Sequence, residues 1–309
     1  MKQLLTADWH ININNRIKDV YKIINNILTI AIDEQVERIV ILGDIFDKAR
    51  PRHEEKYIFY RWLEKTKKTG IKVLLLKGNH DIFKSPILGD FFSFADANIL
   101  NNVKIMDSEY IENNIYYGHC HIQGAIFGNT DDINFNAIGK DIKELYNHKC
   151  KLYFLGHIHK AQKINNNVYY LGSPYKINFG ECNNDNSVII HNMNTNELKF
   201  IKISDRKMIE IHIDMINHKW EQVDVTDAII KVKVKIKEDQ PYPTQDIKEK
   251  FKNAYEIRSI EFEVVKKEHS RNKDITTDKS IENCFLNYCN YMKYDKIIQE
   301  RGVAIINDI

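Results

Sequence analysis

Residues 151–160 read K-L-Y-F-L-G-H-I-H-K. The apolar run Leu152–Leu155 leads into a glycine and then into two histidines one residue apart. A short continuous apolar run bounded by a turn residue is the pattern of a strand buried on both faces. Glycine lets the backbone turn sharply where such a strand ends. A lone histidine there would ordinarily be a packed or surface side chain, but a pair at this spacing can aim two imidazoles at one point. Whether His157 and His159 contribute to a site depends on what stands at the ends of the other strands.

The same arrangement recurs through the first two hundred residues. QLLTA (3–7), RIVILGD (38–44), KVLLLKGNH (72–80), NIYYGHCH (114–121) and VYYLGS (168–173) read as further strands. Between them, Arg16–Gln35 carries Val20, Ile23, Ile24, Ile27 and Ala31 at helical spacing, and Glu54–Thr69 reads as a second helix. This alternation implies an α/β protein, a β-sandwich flanked by helices. Five strands run into a polar cluster: Asp8-Trp9-His10, Gly43-Asp44, Gly78-Asn79-His80-Asp81, Gly118-His119-Cys120-His121 and Gly156-His157-Ile158-His159. Parallel and mixed sheets deliver strand ends to one edge, where α/β proteins place ligands. Each cluster alone could be a surface turn. Together they hold six of the chain's twelve histidines, which argues for one shared site.

The donor types state the chemistry. Asp, Asn and His without a thiolate suit manganese, iron(II), zinc or similar divalent ions. Asp8, His10, Asp44, Asn79, His119, His157 and His159 are too many for one tetrahedral ion. They suit two ions bridged by a carboxylate, an arrangement that lowers the pKa of a shared water and neutralises a phosphate under attack.

Composition bounds the rest. The 309 residues leave room for a large domain and a smaller one. Hydrophobic content of 43%, charged content of 28% and a net charge of +2 are those of an ordinary globular chain, and bulk charge gives no argument for nucleic acid. The opening MKQLLTADWH is no signal peptide and no apolar stretch approaches a membrane span, so a cytoplasmic protein without a membrane partner is expected. Five scattered cysteines without a Cys-x-x-Cys pair fit free thiols in a reducing compartment.

The pattern changes after about Asp205, which predicts three parts: 1–204, 205–270 and 271–309. IIKVKVKIK (229–237) and SIEFEVV (259–265) alternate as half-buried strands around a helix-like PTQDIKEKFKNAY (243–255), a small α+β module. A polar linker, 266–280, precedes an amphipathic, helical tail over 281–306 that includes Phe285, Tyr288 and Met292.

The ordered set D-x-H, G-D-x-x-D, G-N-H-D, G-H and G-H-x-H resembles the calcineurin-like metallophosphoesterases over about residues 1–180. GDIFDKARP (43–51), GHCHIQGA (118–125) and LGSPYKINFGE (171–181) narrow the resemblance to the SbcD nuclease family, and a phage recombination endonuclease subunit shares this plan. The resemblance implies that Asp8, His10 and His159 hold one ion, that Asn79, His119 and His157 hold the second, and that Asp44 bridges. Both ions would be manganese, with magnesium or another divalent ion as the alternative. His80 would be the catalytic residue at the scissile phosphate, with Asp81 orienting it through a carboxylate–imidazole bond, and His121 would stay peripheral. Asp47 stands where archaeal and eukaryotic relatives carry a second catalytic histidine, which puts the eukaryotic exonuclease geometry in doubt here.

The implied activity is DNA exonuclease and endonuclease hydrolysis in double-strand-break repair and recombination. The implied partners are DNA, an SbcC-type SMC-like ATPase docking on Phe285, Tyr288 and Met292, and a second copy of the chain. The small module would be a DNA-facing cap. Lys231, Lys233 and Lys235, with Arg50 and Arg52 in the first domain, are candidate phosphate contacts, set against the plainer reading of solvated surface cations. Two other functions compete. A small-substrate phosphatase or cyclic-nucleotide phosphodiesterase would leave the module and tail without a task, and a non-catalytic scaffold would be expected to have lost ligands, whereas every expected position is filled.

Overall fold

The computed structural model describes residues 1–81, 102–127, 139–266 and 280–307. The chain divides into two compact units, one comprising Met1–Ile211, Glu221–Val232 and Thr244–Glu261, the other His212–Trp220, Lys233–Pro243 and Phe262–Ile309.

The first unit begins β1 (Lys2–Thr6), α1 (Ile17–Asp33), β2 (Arg38–Leu42), α2 (His53–Thr69), β3 (Lys72–Leu76), β4 (Val103–Met106), β5 (Glu109–Glu112) and β6 (Ile115–His119). It continues α3 (Ile142–Tyr146), β7 (Leu152–Gly156), β8 (Gln162–Asn165), β9 (Val168–Tyr170), β10 (Ser187–Asn192) and β11 (Glu197–Lys202). Six strands form one sheet in the order β11-β10-β1-β2-β3-β4, and five form another in the order β5-β6-β7-β9-β8. The strands β1, β2, β3 and β4 are mutually parallel, as are β6, β7 and β9.

Alternation along each strand builds the layers. Leu4, Ile39, Ile41, Val73 and Leu75 face a core shared with Val20, Ile24 and Ile27 of α1 and Phe59 and Trp62 of α2. Their neighbours Leu5, Val40, Leu42, Leu74 and Leu76 face Ile115, Tyr117 and Phe154 of the other sheet. The outward residues of that second sheet, Tyr116, Tyr153, Leu155 and Tyr170, pack with Leu145 of α3. Both faces of the central strands are therefore buried, which is why they read as unbroken apolar runs. The Trp62 indole N–H donates to the Ile24 carbonyl at 2.8 Å and ties α2 to α1.

The remaining elements are β12 (Met208–Asp214), β13 (Lys219–Trp220), β14 (Ile229–Lys237), α4 (Thr244–Lys250), β15 (Glu256–Val265), α5 (Ile281–Tyr291) and α6 (Lys296–Asn307). The strands form a sheet in the order β13-β12-β14-β15. Helix α4 ends at Lys250, short of the expected residue 255, because Phe251 and Ala254 close a turn, the Ala254 N–H donating to the Phe251 carbonyl at 2.9 Å. The helical tail is divided into two helices, which meet where a Cβ added to Gly302 would stand 2.0 Å from the Phe285 ring. Most of the expected linker, 267–279, lies outside the described residues. Among the described residues, no helix is long and apolar enough to cross a membrane.

Candidate metal centre

The five polar clusters meet at the edge formed by the C-terminal ends of β1, β2, β3, β6 and β7. Parallel pairing persists past the strands: the Asp8 N–H donates to the Gly43 carbonyl at 3.1 Å and the His10 N–H to the Asp44 carbonyl at 2.9 Å. Between Asp8 and His10, the fully buried Trp9 packs edge-on against Trp62, 4.9 Å between ring centroids, and its N–H donates to the Thr6 hydroxyl at 2.9 Å. That anchor turns Asp8 and His10 away from the core and into the site.

Four site residues hold left-handed backbone: Asp8 (φ 53°), His10 (φ 41°), Asp44 (φ 49°) and His157 (φ 89°). Non-glycine residues adopt this region at a cost of about 1–3 kcal/mol in the less populated cases, and such positions gather at functional sites. Close approach sets two glycines. A Cβ at Gly43 would stand 2.4 Å from His119 Nδ1, and one at Gly156 would stand 2.1 Å from the Leu42 carbonyl.

Three groups of side chains place donor atoms within 4.8 Å of one another: Asp8, His10 and His159; Asp44, His119 and His157; and His10, Asp47 and His80. The first two adjoin. His10 Nε2 lies 3.0 Å from His159 Nε2, and Asp44 Oδ2 lies 3.5 Å from His10 Nε2 and 3.3 Å from His119 Nε2. Asn79 Oδ1 joins the second group, 3.0 Å from His119 Nε2 and 2.9 Å from His157 Nδ1. Two imidazole nitrogens stand 3.0 Å apart and an amide oxygen lies between two more, so several acceptor atoms converge on one small space. Only protons or cations relieve that arrangement, so the donor set fits divalent metal.

The charges agree. Burial drives the Asp8 carboxyl upward against the pull of His119 and His159. Burial acts the same way on Asp44, but His119 and His10 hold it well below the usual carboxylate range. Burial opposes charging of His119, yet Asp44 and Asp8 lift it to about 9. His157 falls to about 4 through burial and the neighbouring His119 charge. Asp44 and Asp8 thus favour a proton on His119, one that a metal would displace.

Supporting groups set the imidazole tautomers. His119 Nδ1 lies 2.8 Å from the Leu42 carbonyl and His159 Nδ1 lies 2.8 Å from Glu181 Oε1, so each turns Nε2 to the site. Glu181 is itself fixed by the Ile177 N–H at 2.8 Å and the Asn178 amide at 2.8 Å. The buried Tyr175 hydroxyl donates to the Trp9 carbonyl, with the His10 carbonyl 3.1 Å away. Motif reading assigned no role to Glu181 or Tyr175, although both lie in LGSPYKINFGE. Their partners are more than 20 residues away along the chain.

One expectation is corrected. Asp81 does not bond the His80 imidazole: His80 Nδ1 lies 2.7 Å from the Asp47 carbonyl. The Asp81 carboxylate accepts the backbone N–H groups of Gly78 (3.0 Å), Ile45 (3.1 Å) and Phe46 (3.2 Å), and burial lifts its pKa to about 6. It braces two ligand loops against each other. The His80 N–H donates to Asp44 Oδ1 at 2.9 Å, which brings His80 beside the centre. His121 packs on Phe127 at 4.9 Å, with its ring centroid 6.3 Å from that of His157.

The outlying candidates are not gathered into this site. Arg50 and Arg52 are exposed, and Arg52 Nη1 donates to Asn14 Oδ1 at 3.3 Å. Lys231 pairs with Glu261 at 2.9 Å, Lys233 is half-buried and Lys235 is exposed. Phe285 is half-buried against α6, whereas Tyr288 and Met292 are 45% and 44% exposed.

A family model described as calcineurin-like phosphoesterase matches residues 1–161. The chain is similar to the SbcD subunit of the SbcCD nuclease of Staphylococcus saprophyticus, 22% identical across 93% of each chain. It is also similar to the SbcD subunit of the Staphylococcus epidermidis nuclease, 25% identical across 76% of each. The DNA double-strand break repair protein Mre11 of Sulfolobus acidocaldarius is 28% identical over 40% of this chain, a match spanning 35% of that protein's length.

Proposed function

Because the chain belongs to the calcineurin-like phosphoesterases, we propose that it is the nuclease subunit of an SbcCD-type repair and recombination complex, hydrolysing DNA phosphodiesters at a binuclear centre. The observation that carries this reading is the pair of adjoining donor groups, with Asp44 Oδ2 3.5 Å from His10 of the first and 3.3 Å from His119 of the second. Asp8, His10 and His159 would hold one divalent ion and Asn79, His119 and His157 the other, with Asp44 placed to serve either; manganese suits the donor set. When bound, the ions supply Lewis acidity to the phosphate and acidify water.

The chain's own groups do the remaining work. Glu181 and the Leu42 carbonyl keep His159 and His119 in the tautomer that offers Nε2. The Asp47 carbonyl accepts from His80 Nδ1–H, so the imidazolium form of the ring presents Nε2–H to stabilise or protonate the leaving 3′ oxygen and ends as neutral imidazole, a role worth about 10²–10⁴-fold in rate. Asp81 acts on catalysis through the backbone it braces.

The relatives named as SbcCD nuclease subunits support two partner assignments, DNA and an SbcC-type ATPase; a second copy of this chain is proposed from the family resemblance alone. On this reading the protein is cytoplasmic, residues 205–270 form the DNA-facing cap, and 271–309 form the linker and ATPase-binding tail. The exposed apolar side chains Ile281, Tyr288, Tyr291, Met292, Ile297 and Ile305 support the last assignment. Truncation after residue 270 would then abolish ATPase binding and leave metal content unchanged; retained binding would place the partner surface elsewhere.

Cleavage of end-labelled linear DNA with manganese, beside bis-p-nitrophenyl phosphate, tests the activity. Degradation of both substrates is expected. Hydrolysis of the small ester with intact DNA, persisting after the ATPase partner is added, would reject DNA as the substrate.

A further inference from the structure

A second feature lies on the metal-bearing edge and has no part in the centre. A cavity of about 320 Å³ opens between the β8–β9 and β10–β11 hairpins, lined by Lys163, Tyr169, Asp185, Asn186, Phe200 and Lys202 among others. Strand register fixes its level. Ser187 pairs with Lys202, and Ile189 pairs with Leu5 of β1, so the start of β10 and the end of β11 stand level with the loop that carries Asp8 and His10. The wall is joined to the ligand loop as well. The Asn186 amide donates to the Ser173 carbonyl at 2.9 Å, and the Ser173 N–H donates to the carbonyl of His159 at 3.1 Å. Ala161, which also lines the cavity, is two residues from His159, a reach of about 7 Å along the chain.

The lining is of mixed chemistry. Phe200 is 57% exposed although it sits on a strand, where a large ring without a polar group gains nothing from water. Tyr169 offers a second ring, with the Lys163 ammonium 5.4 Å from its centroid. Lys202 reaches Asp185 at 3.1 Å with both side chains largely in solvent, a contact that a competing anion can replace. Aromatic faces beside ammonium groups are the recognition chemistry of single-stranded nucleic acid, the rings taking a base and the lysines its phosphate. The volume lies at the lower end of the range for ligand pockets, which suits one nucleotide and not a longer stretch.

We propose that this cavity holds one unpaired nucleotide of the DNA strand whose phosphodiester lies at the metal centre, the base against Phe200 and Tyr169 and the phosphate at Lys163 and Lys202. The inference rests on the nuclease reading. It adds a specificity element to it: an end or strand with an unstacked nucleotide near the scissile bond is preferred over a fully paired one. It also gives Phe200 a function that the packing of its own sheet does not require.

The test uses the full chain and a fluorescein-labelled oligothymidylate, with binding followed by anisotropy in calcium to suppress cleavage. Phe200→Ala and Lys163→Gln are both surface changes away from the ligands. Phe200→Ala should weaken binding about tenfold, the cost of losing one stacked base. Lys163→Gln should lower the slope of log affinity against log salt by about 0.7, the loss of one single-strand phosphate contact. Both variants should hydrolyse bis-p-nitrophenyl phosphate at the wild-type rate and cut frayed-end duplexes more slowly than wild type. If wild type cuts DNA and the variants bind and cut it equally well, the cavity is not a nucleotide site and the nuclease reading survives. If wild type hydrolyses the small ester but neither binds nor cuts DNA, with or without the ATPase partner, both readings fail together.

Discussion

The two ends of the sandwich bury polar side chains between the same two sheets and treat them in opposite ways. At the end opposite the metal centre, Gln3 donates to the Tyr117 hydroxyl at 2.8 Å and lies 2.9 Å from His191 Nδ1. Arg38 donates to Gln3 Oε1 at 2.7 Å and to Glu112 Oε2 at 2.5 Å. Donors there face acceptors. At the metal-bearing end, imidazole nitrogens face each other and an amide oxygen, and carboxylates crowd among them. A satisfied network specifies and rigidifies a core. A convergent set of acceptors is costly until a cation arrives. The contrast separates polar residues with matched partners from those whose donor atoms converge, though burial alone ranks them alike.

Substitutions at the two ends should therefore fail differently. The largest effect is expected from Asp44→Ala, which removes the carboxylate that stands between His10 and His119. Metal content by mass spectrometry should fall below two ions per chain, and hydrolysis of any phosphodiester should be lost; a variant with full metal and rate would break the comparison. His80→Ala comes next. It should keep its metal and lose about 10²–10⁴-fold in DNA cleavage, and undiminished cleavage would remove His80 from the mechanism. Glu181→Gln keeps the shape of the contact to His159 but not its charge. It should weaken metal binding by about 10–100-fold, with hydrolysis recovering as manganese is raised, whereas a loss that excess manganese does not repair would point to folding instead. The smallest effect belongs to the other end: Tyr117→Phe removes an acceptor for Gln3 and Arg38 and should cost about 1–3 kcal/mol of stability. Thermal melting would show it, while metal content and turnover stay at wild-type values. A fall in turnover there would mean that the two ends are coupled.

In the sandwich, the strands legible in advance lie inside the sheets. RIVIL, KVLLL and LYFLG stand out because their apolar residues pack against either a helix layer or the opposite sheet. The edge strands β4, β5, β8 and β11 were missed, and so was the inner β10, SVIIHN, although Val188, Ile189 and Ile190 are buried. β4, β5 and β11 carry alternating or polar residues whose extended form depends on pairing with a neighbour, as Phe200 does with Ile189. The tail read as helical because apolar spacing continues across the Met292–Asp295 turn, and only the packing of Phe285 on Gly302 defines the fold-back.

The site divides along the same line. Donor identity was written in the chain, because ligand chemistry is a property of residue type and each donor follows a recognisable strand end. The partner of each donor was not. His80 could bond Asp81 next to it or Asp47 across the site, and His159 could take any acceptor within reach. The choice fell to Asp47 and Glu181 because backbone N–H groups claimed Asp81 and a short helical turn aimed Glu181. Local sequence determined which atoms could bind metal and which runs had to be buried. The pairing of distant strands decided which sheet each run joined, which loops met, and which ring nitrogens and oxygens converged, since those distances depend on how the whole chain closes and not on any one segment.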